Sequence, residues 1–142
     1  MIYTPETKKA MKLCFAAHKE QKDKSGLPYV FHPFHLAEQM TDEDTTVVAL
    51  LHDVVEDSPY TFDDLKEMGF SESVLAALRL LTHDESVPYM EYVAAIKPNP
   101  IARAVKLADL RHNSDLSRVD EVTEKALQRR EKYLKALALL EE

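Results

Sequence analysis

Along most of the chain, apolar residues recur three and four positions apart, and the strict alternation of a half-buried strand is almost absent. That spacing predicts helices. Thr4 before Pro5 reads as an N-cap followed by proline at the first helical position. The helix it opens carries Met11, Cys14, Phe15 and His18 and is expected to end near Gln21. Asp23, Ser25, Gly26 and Pro28 mark residues 22–30 as a loop. A short helix is expected from His32-Pro33 to about Met40. The acids of Thr41-Asp42-Glu43-Asp44 cap another, where the helix dipole favours negative charge.

Further along, Thr61 with Asp64 opens a short helix that Gly69 closes, and Ser71 opens one through Leu75, Leu78 and Leu81. Pro88 starts a helix that ends before Lys97-Pro98. Asn99-Pro100 repeats the cap-then-proline pattern and launches a helix from Ile101 to about Asn113. The last helix is expected from about Asp120 to Leu140, with Leu127, Tyr133, Leu134 and Leu137 on its packing face. Only two glycines occur, fewer than the turns of a sheet-rich domain require, so the expected fold class is all-α. A length of 142 residues, with no linker or repeat, fits one domain over 1–142.

Composition narrows the function. Eighteen Lys and Arg against 25 Asp and Glu leave a net charge of −7, a poor balance for neutralising nucleic-acid phosphates, although a local basic site for one small anion is compatible with it. The longest apolar runs are four to five residues, too short to cross a bilayer. Met1 is not followed by a basic segment and an apolar run, so no leader is expected and the cytoplasm is the default compartment. Cys14 is the only cysteine, which excludes an intramolecular disulfide and a multi-cysteine metal site.

The segment His52-Asp53-Val54-Val55-Glu56-Asp57 follows the apolar run Val47-Val48-Ala49-Leu50-Leu51. On a helix, residues 52, 53, 56 and 57 share a face. Three carboxylates and an imidazole next to a buried run repel one another unless a cation joins them. Either they hold a metal, with His52 and Asp53 as ligands and the acids one turn on in supporting or catalytic roles, or they form a solvated acidic helix end. His32, held rigid beside Pro33, is a candidate ligand from outside that helix. Lys106, Asp109 and Asn113 also fall on one helix face, where Asp109 either meets a metal or pairs with a cationic side chain. Lys22 and Lys24, beside Gly26, form either a contact for a phosphate or an ordinary solvated loop.

Four ordered blocks carry a resemblance. They are Ala16-Ala17-His18-Lys19-Glu20-Gln21, then Lys24 to Pro33, then Ala49 to Asp57, then Lys106-Leu107-Ala108-Asp109 with His112-Asn113. Together they resemble the HD-domain metal-dependent phosphohydrolases, and within them the (p)ppGpp hydrolase domain of RelA/SpoT homologues and the small stand-alone alarmone hydrolases. The resemblance implies an all-helical HD fold with one divalent metal, usually manganese, bound between helices by His32, His52, Asp53 and Asp109. It implies that Glu56 and Asp57 orient or activate the attacking water, that Lys24 and Asn113 contact the nucleotide, and that Tyr133 sits where the family has a tyrosine. The implied reaction removes the 3′-pyrophosphate from guanosine tetra- or pentaphosphate; the chain offers no synthetase module. The implied partner is a small phosphorylated nucleotide, with neither nucleic acid nor membrane.

Two positions depart from the family. Asp23 and Asp115 stand where it favours arginine, and two acids there repel an anionic nucleotide unless they turn away. They keep open hydrolysis of another phosphorylated nucleotide or nucleotide cofactor. Glu56 and Asp57 weigh against a third reading, a sensor that binds without turnover.

Overall fold

Six of the nine helices start at a Ser, Thr, Asp or Asn whose side chain accepts a backbone N–H three residues on. The computed structural model describes residues 1–142, in the order α1 (Pro5–His18), α2 (Phe31–Glu38), α3 (Glu43–Leu51), α4 (Val54–Asp57), α5 (Phe62–Glu67), α6 (Glu72–Leu81), α7 (Tyr89–Ile96), α8 (Pro100–Asn113) and α9 (Glu124–Glu141). A 3-10 turn, Leu116–Arg118, precedes α9. Thr4 and Thr61 form reciprocal capping boxes with Thr7 and Asp64. Gly69 takes a φ of +90°, the left-handed conformation that ends α5. No strand forms; one isolated bridge joins Lys22 to Pro28 across the loop after α1. No helix is long and apolar enough to cross a membrane.

The centre of the fold is α3. Thr45 through Leu51 are all buried, so this helix has no solvent face, as expected for a helix apolar nearly all round. It packs against α1 and α2 on one side and against α6 and α8 on the other; α9 closes over α7 and α8. The buried apolar residues form one cluster of 29, so the C-terminal end of α3 delivers residues 52 and 53 into the interior.

Three expectations shift. First, α1 stops at His18, because Gln21 turns back, its N–H donating to the His18 carbonyl at 2.9 Å. Second, the helix expected to continue through 52–57 breaks: α3 ends at Leu51 and Asp53 sits at φ −109°, ψ 2° before the four-residue α4. Third, α9 begins at Glu124, not near Asp120, because Thr123 supplies the cap that Asp120 does not. The buried face of α9 matches the expected one in part: Leu137 is buried and Tyr133 packs against the core, as expected. Ala126, Ala136, Leu137 and Leu140 are buried, whereas Leu127 is 49% and Leu134 40% exposed. Small alanines admit close approach to α8, a selection that apolar spacing alone does not show.

Leu75 is fully buried in α6, away from residues 52 and 53. Leu75→Ala is expected to lower the unfolding free energy by about 2–5 kcal/mol, the range for a buried leucine truncation, as read from urea denaturation.

Candidate active site

The break at the end of α3 has a consequence. His52 is its C-cap, and its Nδ1 lies 2.7 Å from the Ala49 carbonyl, which takes the Nδ1–H. That bond turns Nε2 toward two carboxylates: Asp53 Oδ2 at 3.1 Å and Asp109 Oδ1 at 3.6 Å. Neither contact has hydrogen-bond geometry, so this buried nitrogen has no partner. The helix C-terminus adds its own negative partial charge to the spot.

Two other helices complete the cluster. His32, in the first turn of α2, sets Nε2 2.9 Å from Asp109 Oδ1, and Asp109 projects from the buried face of α8. Ligand atoms of His32, His52 and Asp109 all lie within 4.8 Å of one another. These three residues are between 4% and 6% exposed, so water screens their charges little.

The surrounding groups are arranged around the carboxylates. Lys106 Nζ donates to Asp109 Oδ2 at 3.0 Å, and Asn113 Nδ2 donates to Oδ1 at 3.0 Å. Burial opposes ionisation of Asp109, but Lys106 and the two imidazoles outweigh it and hold the carboxyl well below its ordinary range. Asp53 accepts the Tyr29 hydroxyl. Burial opposes its charge too, but His52 overrides this and brings the carboxyl down to about 2. For His52, burial disfavours the imidazolium, yet Asp53 and Asp109 raise its pKa well above the ordinary value. The pocket therefore calls for positive charge at Nε2. A proton supplies it in the metal-free chain, and a divalent cation fits the same donors: two imidazole nitrogens and two carboxylates.

His112 orients His32. The two Nδ1 atoms lie 2.7 Å apart with the rings stacked at 4.9 Å. Burial, Arg118 and His32 push His112 down to about 3, so its ring is neutral, and one hydrogen bond joins the two Nδ1 atoms. That bond fixes the orientation of the His32 ring, with Nε2 facing Asp109.

Two clefts flank the cluster and meet at Asn113 and Tyr133. One, about 210 Å³, is lined by His52, Asp53, Glu56, Tyr89, Lys106 and Lys132 among others. The other, about 330 Å³, runs past Lys22, Lys24, Tyr29, His32, Arg118 and Arg129. Glu56 faces the first cleft; its Oε1 accepts the His83 N–H, and burial leads the terms that raise its pKa. Asp57 lines neither cleft, but burial and then Asp53 raise its pKa in the same direction. Partial burial lowers the Lys24 pKa, and Arg129 and Lys132 add to the effect. None of these three cations has a carboxylate within 4.0 Å. A chain of charge −7 thus keeps an unpaired cationic rim beside its most acidic interior point.

The nine residues nominated from sequence divide as follows. His32, His52 and Asp109 converge, and Asp53 stands beside His52 at 3.1 Å. Asn113 and Tyr133 line both clefts, Lys24 and Glu56 line one each, and Asp57 stands one step outside. Sequence reasoning left Tyr29 and His112 without roles, although both lie in the matching blocks. It had no signal for Arg129 and Lys132, which read as ordinary solvated positions on α9. Lys106 reaches the cleft, whereas Arg111 points away to Glu141 at 3.4 Å.

The fold and this cluster define a helical domain able to hold a cation beside an anionic ligand. No family model matches the chain. It is 38% identical to the guanosine-3′,5′-bis(diphosphate) 3′-pyrophosphohydrolases MESH1 of Mus musculus and Homo sapiens, over 73% of this chain and 66% of each relative. It is 32% identical to the bifunctional (p)ppGpp synthase/hydrolase SpoT of Escherichia coli over 68% of this chain, which is 16% of that protein. Among solved structures it matches a metazoan ortholog of SpoT, described as hydrolysing ppGpp, with a TM-score of 0.74 at 26% identity, covering 99% of this chain and 85% of that one. In sequence and in fold the chain resembles the (p)ppGpp hydrolases. It spans just under two thirds of the length of the MESH1 relatives.

Tyr29→Phe keeps the ring and removes only the donor to Asp53. It is expected to weaken divalent-metal binding by about 10–100-fold, the range for losing a hydrogen bond that orients a ligand, as measured by competition with a metal-sensitive dye.

Proposed function

We propose that this chain hydrolyses the 3′-pyrophosphate of (p)ppGpp, using one divalent cation, Mn²⁺ in our reading, held by His32, His52, Asp53 and Asp109. One observation carries the proposal. A buried imidazole–carboxylate cluster that needs a cation abuts a rim of unpaired cations that needs an anion. When bound, the cation supplies Lewis acidity, lowering the pKa of water and polarising a phosphoryl oxygen.

The chain's own residues supply the rest. Glu56 lines the cleft next to His52 and Asp53, and burial raises its pKa above the ordinary value, the direction that makes a carboxylate a stronger base. It takes the proton of the attacking water while Asp57 adds negative charge close by. The water oxygen bonds to the phosphorus carried on the ribose 3′ oxygen, and the bond from that phosphorus to the 3′ oxygen breaks. The proton finishes on the 3′ oxygen, so the products are GDP and pyrophosphate. Lys24, Asn113 and Tyr133 contact the nucleotide, and the cationic rim offsets its charge against the acidic chain.

Asp23 and Asp115 do less to repel this substrate than their charge suggests. Asp23 Oδ1 accepts the N–H groups of Ser25 and Leu27, and its Oδ2 lies 4.0 Å from Arg118. Asp115 Oδ1 accepts from the N–H and hydroxyl of Ser117, capping the 3-10 turn. Because Asp23 still lines the Lys24 cleft, hydrolysis of another phosphorylated nucleotide or nucleotide cofactor is the second reading. The presence of Glu56 in the cleft weighs against a sensor without turnover.

The deciding experiment incubates Mn²⁺-loaded protein with ppGpp and resolves the products by anion exchange. GDP and pyrophosphate are expected from the wild type and not from Asp53→Ala. Intact ppGpp with folded, metal-loaded wild type overturns the substrate, and a panel of phosphorylated nucleotides then follows. Glu56→Gln is expected to retain the metal while kcat falls by about 10²–10⁴-fold, the usual contribution of a positioned general base; loss of metal from that variant assigns Glu56 to the ligands instead. Metal affinity is expected to rise with pH. The two carboxylates hold a proton on His52 below its raised folded pKa, and the cation must displace it. Calorimetry in buffers of different ionisation enthalpy reads that released proton directly.

A further inference from the structure

The smaller cleft, on the Glu56 side, contains an arrangement that the reaction above does not use. Two ammonium groups lie near the Tyr89 ring, with Lys132 Nζ 4.3 Å from its centroid and Lys106 Nζ 5.9 Å from it. Lys106 has its charge matched by Asp109 at 3.0 Å. Lys132 has no carboxylate within 4.0 Å, only the faces of Tyr89 and, at 5.6 Å, Tyr133.

The tyrosine hydroxyls differ in the same way. Tyr92 is satisfied, its hydroxyl donating to the Leu81 carbonyl at 2.6 Å. The Tyr89 hydroxyl is buried with no partner. A buried polar group left unpaired is destabilising, so phenylalanine would serve a purely structural role better at this position. An unmatched cation and an unmatched donor thus line the same cleft as Glu56. Both are complementary to a small oxyanion. The space is about 210 Å³ against about 330 Å³ on the Lys24 side, so the smaller group belongs here and the nucleoside belongs across Asn113 and Tyr133.

We propose that the Glu56-side cleft is a subsite for the pyrophosphate moiety of the substrate, held by the Lys132 ammonium and the Tyr89 hydroxyl. The proposal rests on the hydrolase reading and adds to it the direction in which the substrate lies: pyrophosphate toward α7 and α9, nucleoside toward the loop at Lys24. Lys106 contributes a fixed positive charge near the ring and makes no direct contact.

The test is equilibrium binding, not turnover. Inorganic pyrophosphate and GDP are titrated separately into the protein by calorimetry, with free Mn²⁺ held constant by a metal buffer. Lys132→Met is expected to raise the Kd for pyrophosphate about tenfold, the size of one lost charge-assisted hydrogen bond, and to leave GDP within about twofold. Lys24→Met is expected to do the reverse. Tyr89→Phe is expected to weaken pyrophosphate while leaving the melting temperature unchanged or higher, which separates a binding hydroxyl from a structural one. Lys132 lies on the exposed side of α9, so its variant keeps the fold.

Three results overturn the subsite: no pyrophosphate binding by the wild type, an unchanged Kd in Lys132→Met, or equal weakening of both ligands. Pyrophosphate binding that Asp53→Ala abolishes and Lys132→Met leaves untouched means that the metal alone holds it, which also overturns the proposal. If ppGpp is not hydrolysed but pyrophosphate binding depends on Lys132, the subsite stands and only the substrate assignment fails. If ppGpp is hydrolysed and Lys132→Met binds pyrophosphate as the wild type does, the hydrolase reading stands and the subsite falls.

Discussion

One carboxylate and two imidazoles, Asp109 with His32 and His52, meet at one buried point with the half-buried Asp53 beside them, and much of the surrounding structure answers to the cost of placing them there. An ionised carboxylate removed from water is strongly destabilised unless charge and hydrogen bonds compensate. Asp109 is met by Lys106, Asn113 and His32, and Asp53 by Tyr29 and His52. Within the cluster itself, His52 Nε2 is left without a hydrogen-bond partner, turned by the Ala49 carbonyl toward both acids. A buried nitrogen left unpaired while facing two negative charges marks a place suited to a cation.

The scaffold makes this rigid by burying α3 on all sides. Because Thr45–Leu51 have no freedom to rotate toward solvent, the residues that follow are fixed in direction. The helix ends just as the chain reaches His52. His52 keeps helical backbone angles as the C-cap, and the departure comes at Asp53, which places its carboxylate beside His52 Nε2 and under the Tyr29 hydroxyl. On the far side, Pro100 and the Asn99 cap set the start of α8, and its apolar stripe turns Asp109 inward one turn from Val105. The position of the acid is a by-product of how α8 buries its valine and alanines.

Charge is distributed against the average. The chain is acidic overall, yet Lys24, Arg129 and Lys132 face the clefts without acidic partners within 4.0 Å, close enough for the other two to lower the Lys24 pKa. Mutual repulsion of this kind is tolerated when a ligand of opposite sign relieves it in use. Arg118 works differently. It pairs loosely with Asp23 and donates to the His112 carbonyl and the Asn113 side chain, so it ties the loop after α1 to the end of α8. The acid at position 23 is thereby absorbed into the architecture of the cleft wall.

The sequence by itself determined the all-helical class, most of the helix starts and the candidate residues for the chemistry. Those signals are local: a cap, a proline or a glycine acts within one turn, and the spacing of Lys106, Asp109 and Asn113 is a property of any helix. It did not determine the helix break after Leu51, the full buried face of α9 or the place of Lys132. The break and the buried face of α9 depend on which neighbours fill the interior, as the exposed Leu127 and the buried Ala136 show. Tertiary structure alone decided that His32 and Asp109, 77 positions apart, would share one point, and that Lys132 of the last helix would line one cleft with Asp53 and Glu56 at α4. The reason is physical. Burial and charge pairing are long-range properties of the packed chain, and no window of sequence contains both partners.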